Sequence, residues 1–163
     1  MSDEEKEFSK KVNIDKAKIK NGTCITLSII SLITYIAPLM LGDFDFGIVF
    51  ESLTFIFILI ARYYMSKYDE EYSRKFTIFA MIPIGWLFIY DFITMLSYMP
   101  EMIILDNLGF SFIMQGGGML LNLIILYVTI QDLKKAGDPE KYKESTDWFY
   151  ERPDEKKENN KNL

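Results

Sequence analysis

No histidine occurs among the 163 residues, and Cys24 is the only cysteine. Without imidazole there is no histidine base, no zinc–histidine site and no histidine pH switch. A lone cysteine excludes an intramolecular disulfide and any multi-cysteine metal centre. Basic residues are also missing from most of the chain: no Lys or Arg lies between Lys20 and Arg62, nor between Lys75 and Lys134. The net charge is −5. A basic face for nucleic acid is therefore absent. The signatures G-x-S-x-G, H-E-x-x-H, G-x-x-x-x-G-K-[ST] and G-x-G-x-x-G do not occur. Gly116-Gly117-Gly118 are followed by no lysine and lie inside an apolar run, so they make no phosphate loop.

What fills the chain instead is hydrocarbon. Half of the residues are hydrophobic, with 13 Phe, 10 Tyr and 9 Met, and the charges are gathered into separate blocks. That block pattern marks a membrane chain. Four runs, at about 23–41, 46–65, 76–99 and 110–130, are each long enough to cross ~30 Å of hydrocarbon at ~1.5 Å per residue. The expected fold is an all-α integral membrane protein, a four-transmembrane-helix bundle over 23–130. Residues 1–22 read as a charged N-terminal tail and 131–163 as a charged C-terminal tail whose end is too polar to fold. The N-terminal stretch is long and mixed in sign, with no small-residue cleavage site after the apolar run, which argues against a secretory signal. Within it Phe8, Val12 and Ile19 share one face of a short surface helix, although a solvated tail is the simpler expectation.

Orientation follows from the basic residues. Six precede the first run, four lie at the end of the second or in 66–75, and eight follow the fourth. The positive-inside rule then puts both termini and the 66–75 loop in the cytoplasm of a cell-membrane protein, N-in/C-in. On that side the sequon Asn21-Gly22-Thr23 is a chance match.

Polar residues inside the runs are spaced, not scattered. Cys24, Ser28, Ser31, Tyr35 and Pro38 form one stripe of the first run, the sort of small and hydroxylated face that packs on other helices. In the second run Glu51, Thr54, Phe55, Ile58 and Arg62 share a face, and in the third Pro83 and Gly85 predict a bend. Trp86 and Tyr90 follow at i, i+4, and Asp91, Thr94 and Tyr98 continue toward the far end. In the fourth, Gln115, Asn122 and Thr129 recur every seven residues with Gly118 beside them. The glycines suggest close helix approach or a broken helix.

Carboxylates at Glu51 and Asp91 need a reason, because a charge near a bilayer centre costs at least about 2.5–3.5 kcal/mol on insertion scales. Both are expected in the outer half of the membrane with Gln115. One reading makes Glu51, Asp91, Gln115, Asn122 and Tyr90 a cation or proton site in an outward-facing acidic cavity, with Trp86 and Tyr90 suited to a quaternary ammonium. The other reading makes them packing groups. The aromatic patch Asp147-Trp148-Phe149-Tyr150 in the C-terminal tail is either an interfacial anchor or an element that docks a cytoplasmic partner.

The sequence thus predicts a small polytopic protein without enzymatic chemistry or cofactor. It reads first as an accessory, scaffolding or regulatory subunit of a membrane assembly, and alternatively as a cation-binding or proton-coupled transporter. Its expected partners are the lipid bilayer, further copies of itself or another membrane protein, and a cytoplasmic protein bound through the tail.

Overall fold

The computed structural model describes residues 3–40, 42, 46–102 and 106–138, with side chains described outside 37–39, 94–102 and 106–115. Four α-helices and no strand occupy them: α1 (Asp3–Met40), α2 (Gly47–Ser66), α3 (Glu70–Met102) and α4 (Asp106–Gly137). All four are long and apolar enough to cross a membrane. They alternate in direction, and each packs mainly on two neighbours, α1 and α3 both lying against α2 and α4. The result is a square up-down bundle.

The buried positions explain why these helices associate. In α2 they are Gly47, Glu51, Thr54, Ile58, Ala61 and Met65. In α3 they include Ser73, Thr77, Ala80, Ile84 and Leu87, and in α4 Met119, Asn122, Leu126, Thr129, Leu133 and Ala136. Each set alternates steps of three and four, the spacing of helices that pack with a slight left-handed twist.

The largest departure from the sequence reading is the length of α1. Its 38 residues begin at Asp3, so the stretch read as a solvated tail continues the first span without a break. Ser9, Asn13, Ala17, Asn21, Cys24 and Ser28 are buried along one line. Of the residues read as one face of a surface helix, Val12 is buried whereas Ile19 is 70 % exposed. Ile14 and Ala17 join Ala61, Met65, Leu133 and Ala136 in an apolar core at this end of the bundle. Acidic residues in the first turn suit the helix dipole, and Lys11–Glu7 and Lys18–Asp15 pair along the surface.

The α2–α3 link is tight for a local reason. The Tyr68 N–H donates to the Met65 carbonyl and the Asp69 N–H to that of Tyr64, both at 3.1 Å. This double bond pattern closes a helix with its next residue left-handed, and Tyr68 has φ 56°. Asp69 then caps α3, its Oδ1 accepting from the Tyr72 N–H at 3.1 Å. A tyrosine holds a position that favours glycine because its ring is used: Lys18 Nζ lies 3.9 Å from the ring centre.

Two storeys result. Toward residues 3–22, 62–75 and 131–138 the surface is charged, over a core that mixes apolar side chains with buried Ser9, Asn13, Asn21, Ser73 and Asp132. Beyond them the surface turns apolar. Ile29, Ile33, Leu53, Ile56, Ile82 and Ile124 are among many large apolar side chains on the outside, while Ser28, Glu51, Thr54, Asn122 and Thr129 are inside.

Candidate functional site

In the apolar-faced storey the buried acid is Glu51. It lies four residues into α2 on the inward stripe and is 1 % exposed. Cross-helix contacts fix its level. Tyr35 packs on Gly47 and the Asn21 amide donates to the Ile58 carbonyl at 3.3 Å, so Glu51 falls beside α1 between Ser28 and Ser31. Across the bundle Asn122 of α4 donates to Ser28 Oγ at 3.1 Å. Phe57 meets Phe79 with ring centres 6.0 Å apart; six residues further along each helix, Glu51 is level with Gly85.

Four side chains from three helices therefore converge: Ser28 and Ser31, Glu51, and Asn122. The two serine hydroxyls are turned toward the carboxylate, yet neither carboxylate oxygen has a partner in hydrogen-bonding geometry. Ser31 Oγ and Asn122 Oδ1 are also buried without one. Buried polar atoms are nearly always satisfied; here three are acceptors only, the two Glu51 oxygens and Asn122 Oδ1, and the Ser31 hydroxyl can donate as well as accept. Thr54, on the same stripe, is content with its own helix, donating to the Phe50 carbonyl at 3.0 Å.

Described side chains flank this group on two sides. On the side of the α1–α2 turn, Tyr35, 3 % exposed, lies with its ring against Gly47 about one helical turn from Glu51. On the other side Cys24, Ile58, Ala80 and Leu126 form a continuous apolar layer.

The remaining sequence candidates lie elsewhere. Asp91 continues the inward stripe of α3 after Leu87 and is half-buried, but it sits six residues beyond the Glu51 level, about 9 Å along the axis. Tyr90 and Trp86 are 58 % and 61 % exposed; they face outward, so no aromatic cage forms beside Asp91. Trp86 instead lines an apolar groove of about 730 Å³ between α2 and α3, with Leu53, Phe57, Phe79 and Ile82. Gln115's side chain and the patch Asp147–Tyr150 lie outside the described residues. At Gly117 and Gly118 an added Cβ would have nothing within 4 Å, so close helix approach is not what these two provide. The close approach is at Gly47.

A second polar level separates the storeys: Lys20 and Asp132 form an ion pair and Arg62 donates to the Lys18 carbonyl. Nearer the bundle's charged end, Lys10 Nζ is 2.5 Å from Glu70. Beside them Tyr64 stacks on Phe76 and Tyr72, with ring centres 5.5 and 5.1 Å apart. Lys75 hydrogen-bonds Glu71 at 2.6 Å, which holds that carboxyl below its ordinary value. Sequence reasoning missed Asn21, Lys20 and Asp132 as bundle members. The signal was present in the four-residue spacing of Ser9, Asn13, Ala17 and Asn21, but polar residues in a charged stretch do not advertise a buried face.

Among the described residues no group of three or more acidic, histidine or cysteine side chains is placed to hold a metal ion. Comparison with family models, with curated proteins and with solved structures finds no match to this chain.

Proposed function

We propose that this is a small integral membrane protein whose four helices cross the bilayer, with both termini and the charged storey in the cytoplasm. It acts by binding, not by catalysis, as an accessory, scaffolding or regulatory subunit of a membrane assembly. The observation that carries this reading is the change of the surface from charged in one storey to apolar in the other. A water-soluble bundle seldom shows contiguous apolar patches beyond a few hundred Å², whereas here large apolar side chains, Ile, Leu, Phe and Trp among them, dominate the described outer face of one storey. Lipid is the solvent that suits it. The boundary also has the interfacial signature, with Tyr63, Tyr64, Tyr68 and Tyr72 gathered beside Lys18, Lys67 and Lys75.

The subunit reading is supported by how the polar residues are used. Asn21 to Ile58, Asn122 to Ser28, Lys20 to Asp132 and Lys10 to Glu70 each tie one helix to another. Such ties favour a bundle that holds its shape and presents its charged end to partners. Glu51 is the exception, and it favours cation binding as a second activity.

Topology is the direct test. In a Cys24→Ser background, Lys6→Cys and Lys67→Cys should react with a membrane-impermeant maleimide only after permeabilisation. Asp106→Cys should react in intact cells, and the protein should resist extraction by alkaline carbonate. Labelling of Lys67→Cys in intact cells would overturn the orientation, and release by carbonate would overturn the membrane reading.

A further inference from the structure

We propose that the chamber formed by Glu51, Ser28, Ser31 and Asn122 binds one dehydrated monovalent cation of about the size of Na⁺. The inference rests on the membrane reading only for its low-dielectric surroundings. Three observations carry it.

The first is the donor set. Glu51 supplies two buried oxygens without hydrogen-bond partners, and Ser31 Oγ and Asn122 Oδ1 supply two more. Ser28 Oγ, which accepts only the Asn122 amide at 3.1 Å, keeps a free lone pair. All are hard oxygen donors, the kind that replaces the hydration shell of a hard cation.

The second is charge. Glu51 brings one negative charge, and no Lys or Arg occurs between Lys20 and Arg62 or between Lys75 and Lys134 to neutralise it. Arg62 is eleven residues along α2, about 16 Å away, and its guanidinium is engaged with the Lys18 carbonyl. A single added positive charge makes the chamber neutral. A divalent ion would leave it with a net positive charge in an apolar core, which is costly.

The third is coordination. A proton on Glu51 engages one oxygen, with the Ser28 and Ser31 hydroxyls as the other donors in reach. A cation meets the carboxylate, hydroxyl and amide oxygens together.

The test is thermal unfolding of the full-length protein in detergent at constant ionic strength, with choline replaced stepwise by Na⁺, at several pH values. Li⁺ and K⁺ series rank the size preference. A ligand that binds only the folded form stabilises it by mass action, so the wild type should show a saturating rise in Tm with Na⁺. Protons compete for the same carboxylate, so the half-saturating Na⁺ concentration should rise as pH falls. Glu51→Gln should abolish the response and, having lost a buried charge, should match or exceed the Na⁺-free wild type in stability. Should that variant fail to fold, Ser31→Ala decides: it should fold and need about tenfold more Na⁺, the change expected for losing one ligand worth ~1.4 kcal/mol. Equal Tm in choline and Na⁺ overturns the proposal. So does a Na⁺ response retained in Glu51→Gln, or a response to pH alone, which would make Glu51 a proton site. None of these outcomes bears on the maleimide and carbonate results, so failure here is distinct from failure of the membrane reading.

Discussion

Gly47→Ala should destabilise the bundle, although glycine-to-alanine changes in helices usually stabilise. A Cβ at residue 47 would stand 2.5 Å from Tyr35 Cε1, 2.8 Å from Cζ and 2.9 Å from the hydroxyl oxygen. Ordinary van der Waals contact is ~3.5–4.0 Å, so the ring must withdraw by about 1 Å. It has little room, being 3 % exposed in the core. Overpacking of this kind costs about 1–3 kcal/mol. Better helix propensity returns at most ~1 kcal/mol, and less at the first residue of a helix. The net expectation is a loss of about 1–2 kcal/mol, read by reversible unfolding in mixed micelles. Gly22→Ala is the matched control: it lies mid-helix in α1 with nothing within 4 Å, and should gain about 0.5–1 kcal/mol. Removing the ring should release the strain, so Gly47→Ala in a Tyr35→Leu background should cost far less than alone. If Gly47→Ala stabilises as Gly22→Ala does, the packing of Tyr35 on Gly47 is refuted.

Tyr68 offers a second sign test, because its left-handed backbone is strained for alanine and not for glycine. Tyr68→Gly should be more stable than Tyr68→Ala by about 1 kcal/mol, and equality of the two by chemical denaturation would contradict the turn geometry. Lys20→Ala strands the Asp132 carboxylate, whose side chain is 9 % exposed. It should cost toward the lower end of about 3–5 kcal/mol, whereas Lys11→Ala at the fully exposed Glu7 pair should cost little; equal losses would show that Asp132 is not confined. Glu7 and Glu71 are held below their ordinary value of 4.5 by the hydrogen bonds of Lys11 and Lys75. Their contribution is therefore present above that pH and fades as pH falls through the depressed values. A melting curve in high salt should lose this part of the acid sensitivity, and one that keeps all of it would assign it to other groups.

The four helices were legible because each carries an apolar run of span length, and the inward stripes because their spacing survives in the polar residues. Glu51, Thr54 and Ile58 were placed on one face by period alone, as were Ser28, Ser31 and Tyr35. Register between helices was not legible. It is set by cross-chain contacts such as Tyr35 on Gly47 and Phe57 on Phe79, which no single helix encodes, and so Glu51 and Asp91 seemed to share a depth that the bundle separates by about 9 Å. The length of α1 was hidden for a different reason. A charged segment reads as solvated unless something covers its weak apolar face, and here the inner ends of α2 and α4 do so, through Ala61, Met65, Leu133 and Ala136.

The long α1 also bears on what kind of site Glu51 can be. A carboxylate on an isolated span can escape to the interface by bending its side chain toward water. Glu51 cannot, because α1 is locked in place beside it from both directions. Above, Tyr35 fills the space against Gly47; below, Asn21 bonds α2 and Lys20 bonds α4. The inner storey thus works as a clamp. By pairing Lys10 with Glu70 and Lys20 with Asp132 it fixes the axial register of α1, and the same register puts Ser28 and Ser31 on either side of Glu51. Asp91, nearer the far end of α3 and half-buried, stays outside this logic. One acid, held at one level by a clamp at the charged end, gives the proposed site a single negative charge for a cation to match.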